Sequence, residues 1–352
     1  MGEYRKSSVY LSEIEDILKR EDVENLKNKA IVITGARGLI SSELIDTIMF
    51  GNKVYNMNCK IYAVVRNIEA AKARFLEYLD SDLLCIVQAD INQRELPVNN
   101  SIDYFIHAAS NTHPLYYATK PIETILTNTV GTNNMLDFAV KHGCKRFLFL
   151  SSVEIYGENK GDVESFDENY LGYINSNSLR AGYPEGKRLG ETLCQAYIKE
   201  KKLDCVIARI SRCYGPGLLS EDSKALSQFL NKACNKEDII LKSKGNQYYS
   251  YIYVADVVSA LLFLLQNGEC GEAYNVSGGQ SDITLANLAG MIAEMCGRKV
   301  LFEIPDETEK AGYSKATKAL LDCTKLQNLG WKSQYSIEEG IGRTLQMKGC
   351  RK

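Results

Sequence analysis

Patterned metal and disulfide ligands are missing from this sequence. Its 352 residues include three histidines, His107, His113 and His142, with no metal-like spacing to each other or to cysteines, so no zinc site is expected. The eleven cysteines contain no C-x-x-C pair. An odd, scattered set that runs to Cys350 in the tail suggests reduced thiols rather than a disulfide framework, and a cytoplasmic protein. An excess of one charge is lacking too. The net charge of -2 gives no basic footprint for nucleic acid and no broad attraction to an anionic membrane. Met1 to Arg20 is charged throughout, unlike a secretory signal. The most apolar helical stretch, Val257 to Leu265, is far too short to span a bilayer. No internal repeat, low-complexity run or proline-rich linker stands out. What is present is a 45% hydrophobic chain, enough for one large domain or two modest ones.

Residues 1–28 form a charged prelude. Ser12-Glu13-Ile14-Glu15 fits a capping box, and Ile14, Leu18 and Val23 fit one apolar stripe, so a helix lying on the domain surface is expected. Lys29 to Thr34 is a short continuous apolar run, as a buried parallel strand requires. It runs into Gly35-Ala36-Arg37-Gly38-Leu39-Ile40-Ser41 and then a helix through Phe50. Strand, glycine turn and helix start make a pyrophosphate site, because bare amides and the positive helix end face the anion. Ser41 stands where the dinucleotide fingerprint has its third glycine.

The second strand, Lys60 to Val65, ends in Arg66-Asn67. An acid there would take the ribose 2'-hydroxyl of NAD; Arg66 suits a 2'-phosphate and mildly favours NADP, unless it is only a solvated arginine. Leu84 to Val87, followed by Asp90-Ile91, reads as a third strand ending beside an adenine pocket. Tyr104 to His107 begins a fourth, whose Ala108, Ala109 and Ser110 let a cofactor lie close. Asn128 begins a helix through Val140, and Lys145 to Leu150 is a fifth strand ending in Ser151-Ser152-Val153-Glu154. Later come strands at Asp204 to Ile210, Tyr249 to Val254 and Tyr274 to Val276, with Asp256 capping a helix from Val257. Strands alternating with helices imply an α/β fold with a doubly wound parallel sheet and ligands at its carboxyl edge.

Between these lies Gly182-Tyr183-Pro184-Glu185-Gly186-Lys187-Arg188. Tyr183 and Lys187 sit one helical turn apart on one face. An ammonium held there favours the phenolate, the minimum apparatus for taking a proton from a sugar hydroxyl while its hydride leaves to a nicotinamide. A tyrosine stacked on a lysine stem would produce the same spacing. Pro184 belongs in a first helical turn, so Tyr183 is expected at or just before a helix start.

In these motifs the chain resembles the extended short-chain dehydrogenase/reductases that modify nucleotide sugars, over about residues 29–345. The supporting pieces are Thr34-Gly35-x-x-Gly38, His107-x-Ala109, Asn128-x-x-Gly131-Thr132, Ser151-Ser152, Tyr183-x-x-x-Lys187, Tyr214-Gly215-Pro216, Tyr253-Val254-x-Asp256 and Leu329-Gly330-Trp331, in family order. Asn175, Arg180 and Tyr183-Pro-Glu-Gly-Lys187-Arg188 look most like the UDP-glucuronate decarboxylases.

The resemblance implies a Rossmann-type domain over 29–210, with strand returns from the later chain, and a smaller substrate domain over 211–352. It implies a tightly held NAD or NADP contacted by Gly35, Arg37, Gly38, Leu39, Ile40, Arg66, Asp90, Ile91, Ala108, Ala109, Ser110, Asn128, Tyr183 and Lys187. Ser152 would hydrogen-bond the sugar hydroxyl, Tyr183 take its proton and Lys187 hold the cofactor ribose and tune Tyr183. Glu154 matches the glutamate that decarboxylases and 4,6-dehydratases place near the sugar; capping the next turn is its alternative. Thr112, Asn175, Arg180, Arg212, Tyr249 and Lys318 fall on the substrate side.

The sequence also departs from the family. Val153 replaces the acid that dTDP-glucose dehydratases use on leaving water. Tyr249 replaces an arginine that grips the diphosphate, Arg212 replaces an asparagine, and Lys318 is the nearest match to a late arginine. Arg212 would therefore grip the diphosphate, pair with a uronic acid carboxylate, or form a salt bridge to an acid such as Glu185. The implied reaction is oxidation at the 4-position of a nucleotide-diphosphate sugar, then elimination or decarboxylation. A 4-epimerase or an NADPH-dependent 4-keto reductase is the alternative; a non-enzymatic NAD(P)-binding protein is disfavoured because Ser152, Tyr183 and Lys187 are intact. A homodimer through helices near 115–140 and 183–200 is expected by analogy.

Overall fold

A computed structural model describes residues 3–112, 117, 119–218, 222, 224–303 and 317–350; His113 lies outside them. The first helix, α1 (Ser8–Arg20), is capped by the Ser7 side chain, which accepts from the Tyr10 amide at 3.2 Å. The expected capping box at Ser12 is therefore wrong by more than a turn, and Ser12 donates to the Val9 carbonyl within the helix. The helix does lie on the domain surface as expected, with Leu11, Ser12, Lys19 and Arg20 exposed, but its inner face takes in more than the expected stripe and Val23 falls beyond its end. Tyr10, Glu13, Ile14, Ile17 and Leu18 are all buried. Glu13 goes inside because Tyr253 and Arg343 each donate to its carboxylate at 3.1 Å. Burial still dominates and pushes the Glu13 carboxyl up to about 7, with Arg343 opposing.

After α1 follow β1 (Ala30–Thr34), α2 (Leu39–Tyr55), β2 (Lys60–Val65), α3 (Ile68–Arg74), β3 (Leu84–Gln88), β4 (Tyr104–His107), α4 (Pro121–Lys141), β5 (Arg146–Ser152), α5 (Gly182–Lys201) and β6 (Cys205–Ile210). Helix α4 begins seven residues before the expected Asn128, because Pro121, preset for a first helical turn, takes its start. Next are β7 (Arg212–Tyr214), α6 (Ala225–Cys234), β8 (Ile239–Leu241), β9 (Tyr248–Tyr253), α7 (Val254–Asn267), β10 (Ala273–Val276), β11 (Asp282–Thr284), α8 (Leu285–Met295), β12 (Val300–Phe302), β13 (Lys318–Ala319), α9 (Thr324–Leu329) and α10 (Ile337–Met347).

Seven strands form one parallel sheet in the order β10-β6-β5-β4-β1-β2-β3. Ile31, Val32 and Ile33 of β1 are fully buried, as a strand covered on both faces requires. The order reverses between β1 and β4, and a doubly wound sheet binds its ligands in the crevice outside the strand ends at such a reversal. A smaller sheet forms the opposite wall. There β9 pairs antiparallel with β11 and parallel with β7 and β13. Strand β7 follows β6 after Ser211 alone, so the chain passes directly from one sheet to the other.

Two further expectations fail. Asp256 does not cap a helix from Val257; it lies inside α7, and its carboxylate accepts the Gln334 and Tyr335 amides at 2.8 and 3.0 Å. The thiols are not all reduced. Cys234 and Cys350 form a disulfide, tying the end of α6 to the segment after α10 across 116 positions. No spacing motif reports cysteines that packing brings together from such distant segments.

Candidate functional site

The crevice begins at the end of β1. Gly35 has φ +66°, and a Cβ there would lie 2.9 Å from the Ala108 carbonyl oxygen and the Ala109 Cα. Only glycine fits, and the turn is thereby pressed against the end of β4. Gly38 caps α2 with no side chain, and a Cβ on it would meet the Gly35 oxygen at 3.2 Å. Arg37 and Gly38 are exposed, Leu39 and Ile40 half-buried, and Ser41 is buried where the third glycine was sought. The result is a bare backbone cradle at a helix N-terminus, which fits a dinucleotide pyrophosphate.

A hydrogen-bond relay fixes the floor of this cradle. The Ala108 and Ala109 amides donate to the Thr34 hydroxyl at 3.2 and 3.1 Å, and that hydroxyl lies 2.8 Å from His107 Nδ1. His107 Nε2 lies 3.2 Å from the Thr132 hydroxyl, which donates to the Asn128 carbonyl. Thr34 already accepts twice, so its proton goes to Nδ1 and the imidazole carries its own proton on Nε2. Burial first, then the nearby Lys187 charge, pulls His107 down to about 3, so it stays neutral. Among the described residues no group of three or more His, Cys, Asp or Glu side chains is placed to hold a metal ion.

Around the cradle, Ser110 donates to the Asn128 side chain at 2.8 Å. Asp90 accepts the Asn92 amide, and buried Ile91 packs on Gly131, where a Cβ would lie 2.8 Å from it. Arg66, at the end of β2, does not stand free: it is paired with Glu123 at 2.7 Å.

At the end of β5, Ser152 opens a 3₁₀ turn, Val153–Tyr156, with its hydroxyl accepting the Glu154 amide. Helix α5 starts at Gly182 after a short 3₁₀ turn, so Tyr183 is its second residue, one position inside the start rather than at or before it, with Pro184 in the first turn and Lys187 one turn in. Tyr183 is buried and hydrogen-bonded to Ser152. Its phenol is pushed up to about 12. The expected tuning by Lys187 is not seen: burial and Glu154 raise the phenol, and Ser152 opposes them. Lys187 donates instead to the Leu150 carbonyl at 2.7 Å, and burial pulls its ammonium down to about 8.

Glu154 stands between two arginines, with Arg180 at 3.9 Å and Arg212 at 3.8 Å. Arg212 lies flat over the Tyr249 ring, 3.5 Å from its centre, so two of the positions where the sequence departs from its relatives touch. Its Nη1 is buried with no hydrogen-bond partner among the described residues. The anticipated bridge to Glu185 is absent; Glu185 accepts from Ser176. Three other substrate-side residues are not drawn in by any described contact. Thr112 is exposed, Asn175 is exposed and accepts the Asn177 amide, and Lys318 on β13 is paired with Glu164 at 2.8 Å.

Sequence reasoning missed several neighbours. Tyr117 is buried and stacks on Tyr183 with ring centres 4.9 Å apart, and nothing local in the sequence marks it. Glu191 lies one turn beyond Lys187, a spacing that was readable. It accepts from Ser151 at 2.5 Å and pairs with Arg209 at 2.7 Å, and its charge raises Lys187 against the pull of burial.

The model of the NAD dependent epimerase/dehydratase family matches residues 31–277. Over 323 residues the chain is 30% identical to UDP-glucuronic acid decarboxylase 1 of Xenopus tropicalis, covering 90% of this chain and 71% of that protein. It is 28% identical to UDP-glucuronic acid decarboxylase 5 of Arabidopsis thaliana, covering 89% and 87%. Among solved structures, DesIV (dTDP-glucose 4,6-dehydratase) of Streptomyces venezuelae with NAD bound aligns with a TM-score of 0.77 at 23% identity, covering 90% of this chain and 96% of that one. UDP-glucuronic acid 4-epimerase of Bacillus cereus aligns with a TM-score of 0.76 at 18% identity, covering 91% and 99%.

Proposed function

The chain belongs to the NAD dependent epimerase/dehydratase family, and from that premise we propose that it is an enzyme acting on a nucleotide-diphosphate sugar through a 4-keto intermediate, of the decarboxylase/4,6-dehydratase type. The observation that carries this reading is Glu154. A carboxylate beside Tyr183 and Ser152 at the end of β5, flanked by Arg180 and Arg212, is more than an epimerase needs.

When bound, NAD or NADP supplies acceptance and return of a hydride. The Gly35–Gly38 turn and the start of α2 hold its pyrophosphate, and Lys187 holds its ribose. Tyr183 takes the proton of the sugar hydroxyl, held by the Ser152 bond. Its raised pKa defines the work to be done: positive charge must enter the buried pocket before the phenolate forms in quantity. Glu154 stands next to the ring carbons that a 4-ketone makes acidic.

Arg212 and Arg180 place two positive charges at this sugar end. That favours an acidic group on the sugar for Arg212 over the diphosphate, and the curated relatives named for UDP-glucuronic acid agree. The choice between NAD and NADP turns on Arg66, whose bond to Glu123 a 2'-phosphate would have to displace.

The proposal includes a division of labour at about residue 210. The parallel sheet serves the cofactor and the β7–β9 wall serves the sugar, while α7 and β10 return to the large sheet. It also includes a homodimer. Ile122, Ile125, Leu126 and Val130 on α4 and Leu189 on α5 form an exposed apolar face on two packed helices. A monomer mass in light scattering at micromolar concentration would remove the dimer.

Mass spectrometry of products from a nucleotide-sugar panel, without added cofactor, tests the whole reading. Loss of carbon dioxide or water is expected. Unchanged mass with an altered sugar would make the protein an epimerase, and turnover only with added NADPH a reductase.

A further inference from the structure

Arg66, Asn111 and Glu123 close a triangle across the mouth of the cofactor crevice. Arg66 Nη1 meets Glu123 Oε1 at 2.7 Å, its Nη2 donates to Asn111 Oδ1 at 3.3 Å, and Asn111 Nδ2 donates to the same Glu123 oxygen at 3.4 Å. Two further groups brace it. Gln88 donates to the Arg66 carbonyl at 3.2 Å, and Lys120 lies 3.5 Å from the other Glu123 oxygen. Asn111 is only 5% exposed, so the triangle has a fixed vertex inside the protein.

The strand order gives this triangle its meaning. Arg66 follows β2, Asn111 lies beyond β4, Glu123 stands in the first turn of α4, and β1 with its glycine turn runs between β2 and β4. On the reading above, adenosine lies toward β2 and β3 and the reacting end lies toward β5, where Tyr183 and Lys187 stand. A dinucleotide joining those ends must cross β1 where the triangle spans it.

We propose that the Arg66–Asn111–Glu123 bridge is a latch over the bound dinucleotide, which slows its escape so that one cofactor serves many turnovers. This rests on the assignment of the crevice to NAD or NADP. The residues act by position: Asn111 holds the planar Arg66 fork toward Glu123 and so away from a free reach for a ribose phosphate, where its positive charge would favour a bound dinucleotide whatever its 2'-substituent. Arg66 is 61% exposed, so the bond is worth a modest factor and not an absolute block.

The test is the dissociation rate of the cofactor from the holo-protein, loaded separately with NAD and with NADP and chased by rapid desalting. The readout needs no sugar turnover, so it stands or falls separately from the product panel. Glu123→Gln and Arg66→Gln should each speed release of both dinucleotides by about fivefold. The double variant should do no more than either alone. Arg66→Glu combined with Glu123→Arg should return release toward the original rate, which a merely basic surface would not do. Unchanged release from Glu123→Gln overturns the latch. A loss confined to NADP in Arg66→Gln overturns it in favour of 2'-phosphate recognition, and failure of the original protein to retain either dinucleotide overturns it outright.

Discussion

Around the ends of β1 and β4 the crevice wall is backbone. Gly35, Gly38, Ala108 and Ala109 shape it, and the side chains of the relay that fixes it, Thr34, His107 and Thr132, are buried and neutral. Across the crevice the wall is charge carried on side chains, with Arg180 and Arg212 about Glu154 and Tyr249 as a flat support. A pyrophosphate is the same in every dinucleotide, and a backbone cradle suits it. Sugars differ in their substituents, and side chains can be exchanged to follow them without rebuilding a strand.

The largest expected effect falls where the two walls meet. Tyr183→Phe should lower turnover by about 10²–10⁴-fold while the cofactor stays bound, because the phenol acts on the sugar and the cradle does not depend on it. Product formation by mass spectrometry, alongside bound nucleotide by absorbance, checks this. Near-normal turnover would remove Tyr183 from the chemistry.

Lys187 comes next. Its folded pKa of about 8 lies below the ordinary 10.5, so at pH 7 the folded state bears the full cost of a buried charge. Between pH 8 and 10.5 the unfolded chain holds more protons, and stability rises with pH. The cofactor-free protein should gain about 2 kcal/mol relative to Lys187→Met between pH 8 and 10, measured by denaturant unfolding. A constant difference between the two proteins would show that the ammonium is not strained.

On the backbone side, Gly35→Ala forces a side chain into left-handed geometry at a cost of about 1–2 kcal/mol before its contact with Ala108 is counted. Dinucleotide affinity in a fluorescence titration should fall by about tenfold or more. On the charge side, Arg212→Lys should weaken binding of an acidic nucleotide sugar by about fivefold, as the planar contact with Tyr249 is lost, and leave UDP unchanged. Equal weakening of UDP would move Arg212 to the diphosphate.

The same contrast governs what could be read from the sequence. The β1 turn was legible because its requirements are local: an apolar run, a glycine at positive φ, a helix start. The Tyr183 position followed from Pro184, to within one position, for the same reason. The charged wall was only half legible. Arg212 and Tyr249 stood out as departures, but their contact arises from the pairing of β7 with β9, which no local spacing encodes. Helix α1 and its Ile14–Leu18 stripe were legible, but Glu13 looks like a solvent residue until Tyr253 and Arg343 arrive from distant segments. The Cys234–Cys350 bond was illegible for that reason as well.

The Glu13–Arg343 bond also sets an order of events during synthesis. The two residues are 330 positions apart. At a ribosomal rate of about 5–20 residues per second, Glu13 is made roughly 20–60 s before Arg343 exists. Tyr253 reaches it earlier, after 240 positions, and takes only part of its bonding. For that interval the nascent α1 carries a carboxylate meant for the interior with its cationic partner still unmade. Newly made chains should therefore hold α1 loosely, open to chaperones and proteases, until α10 emerges and closes the protein around it.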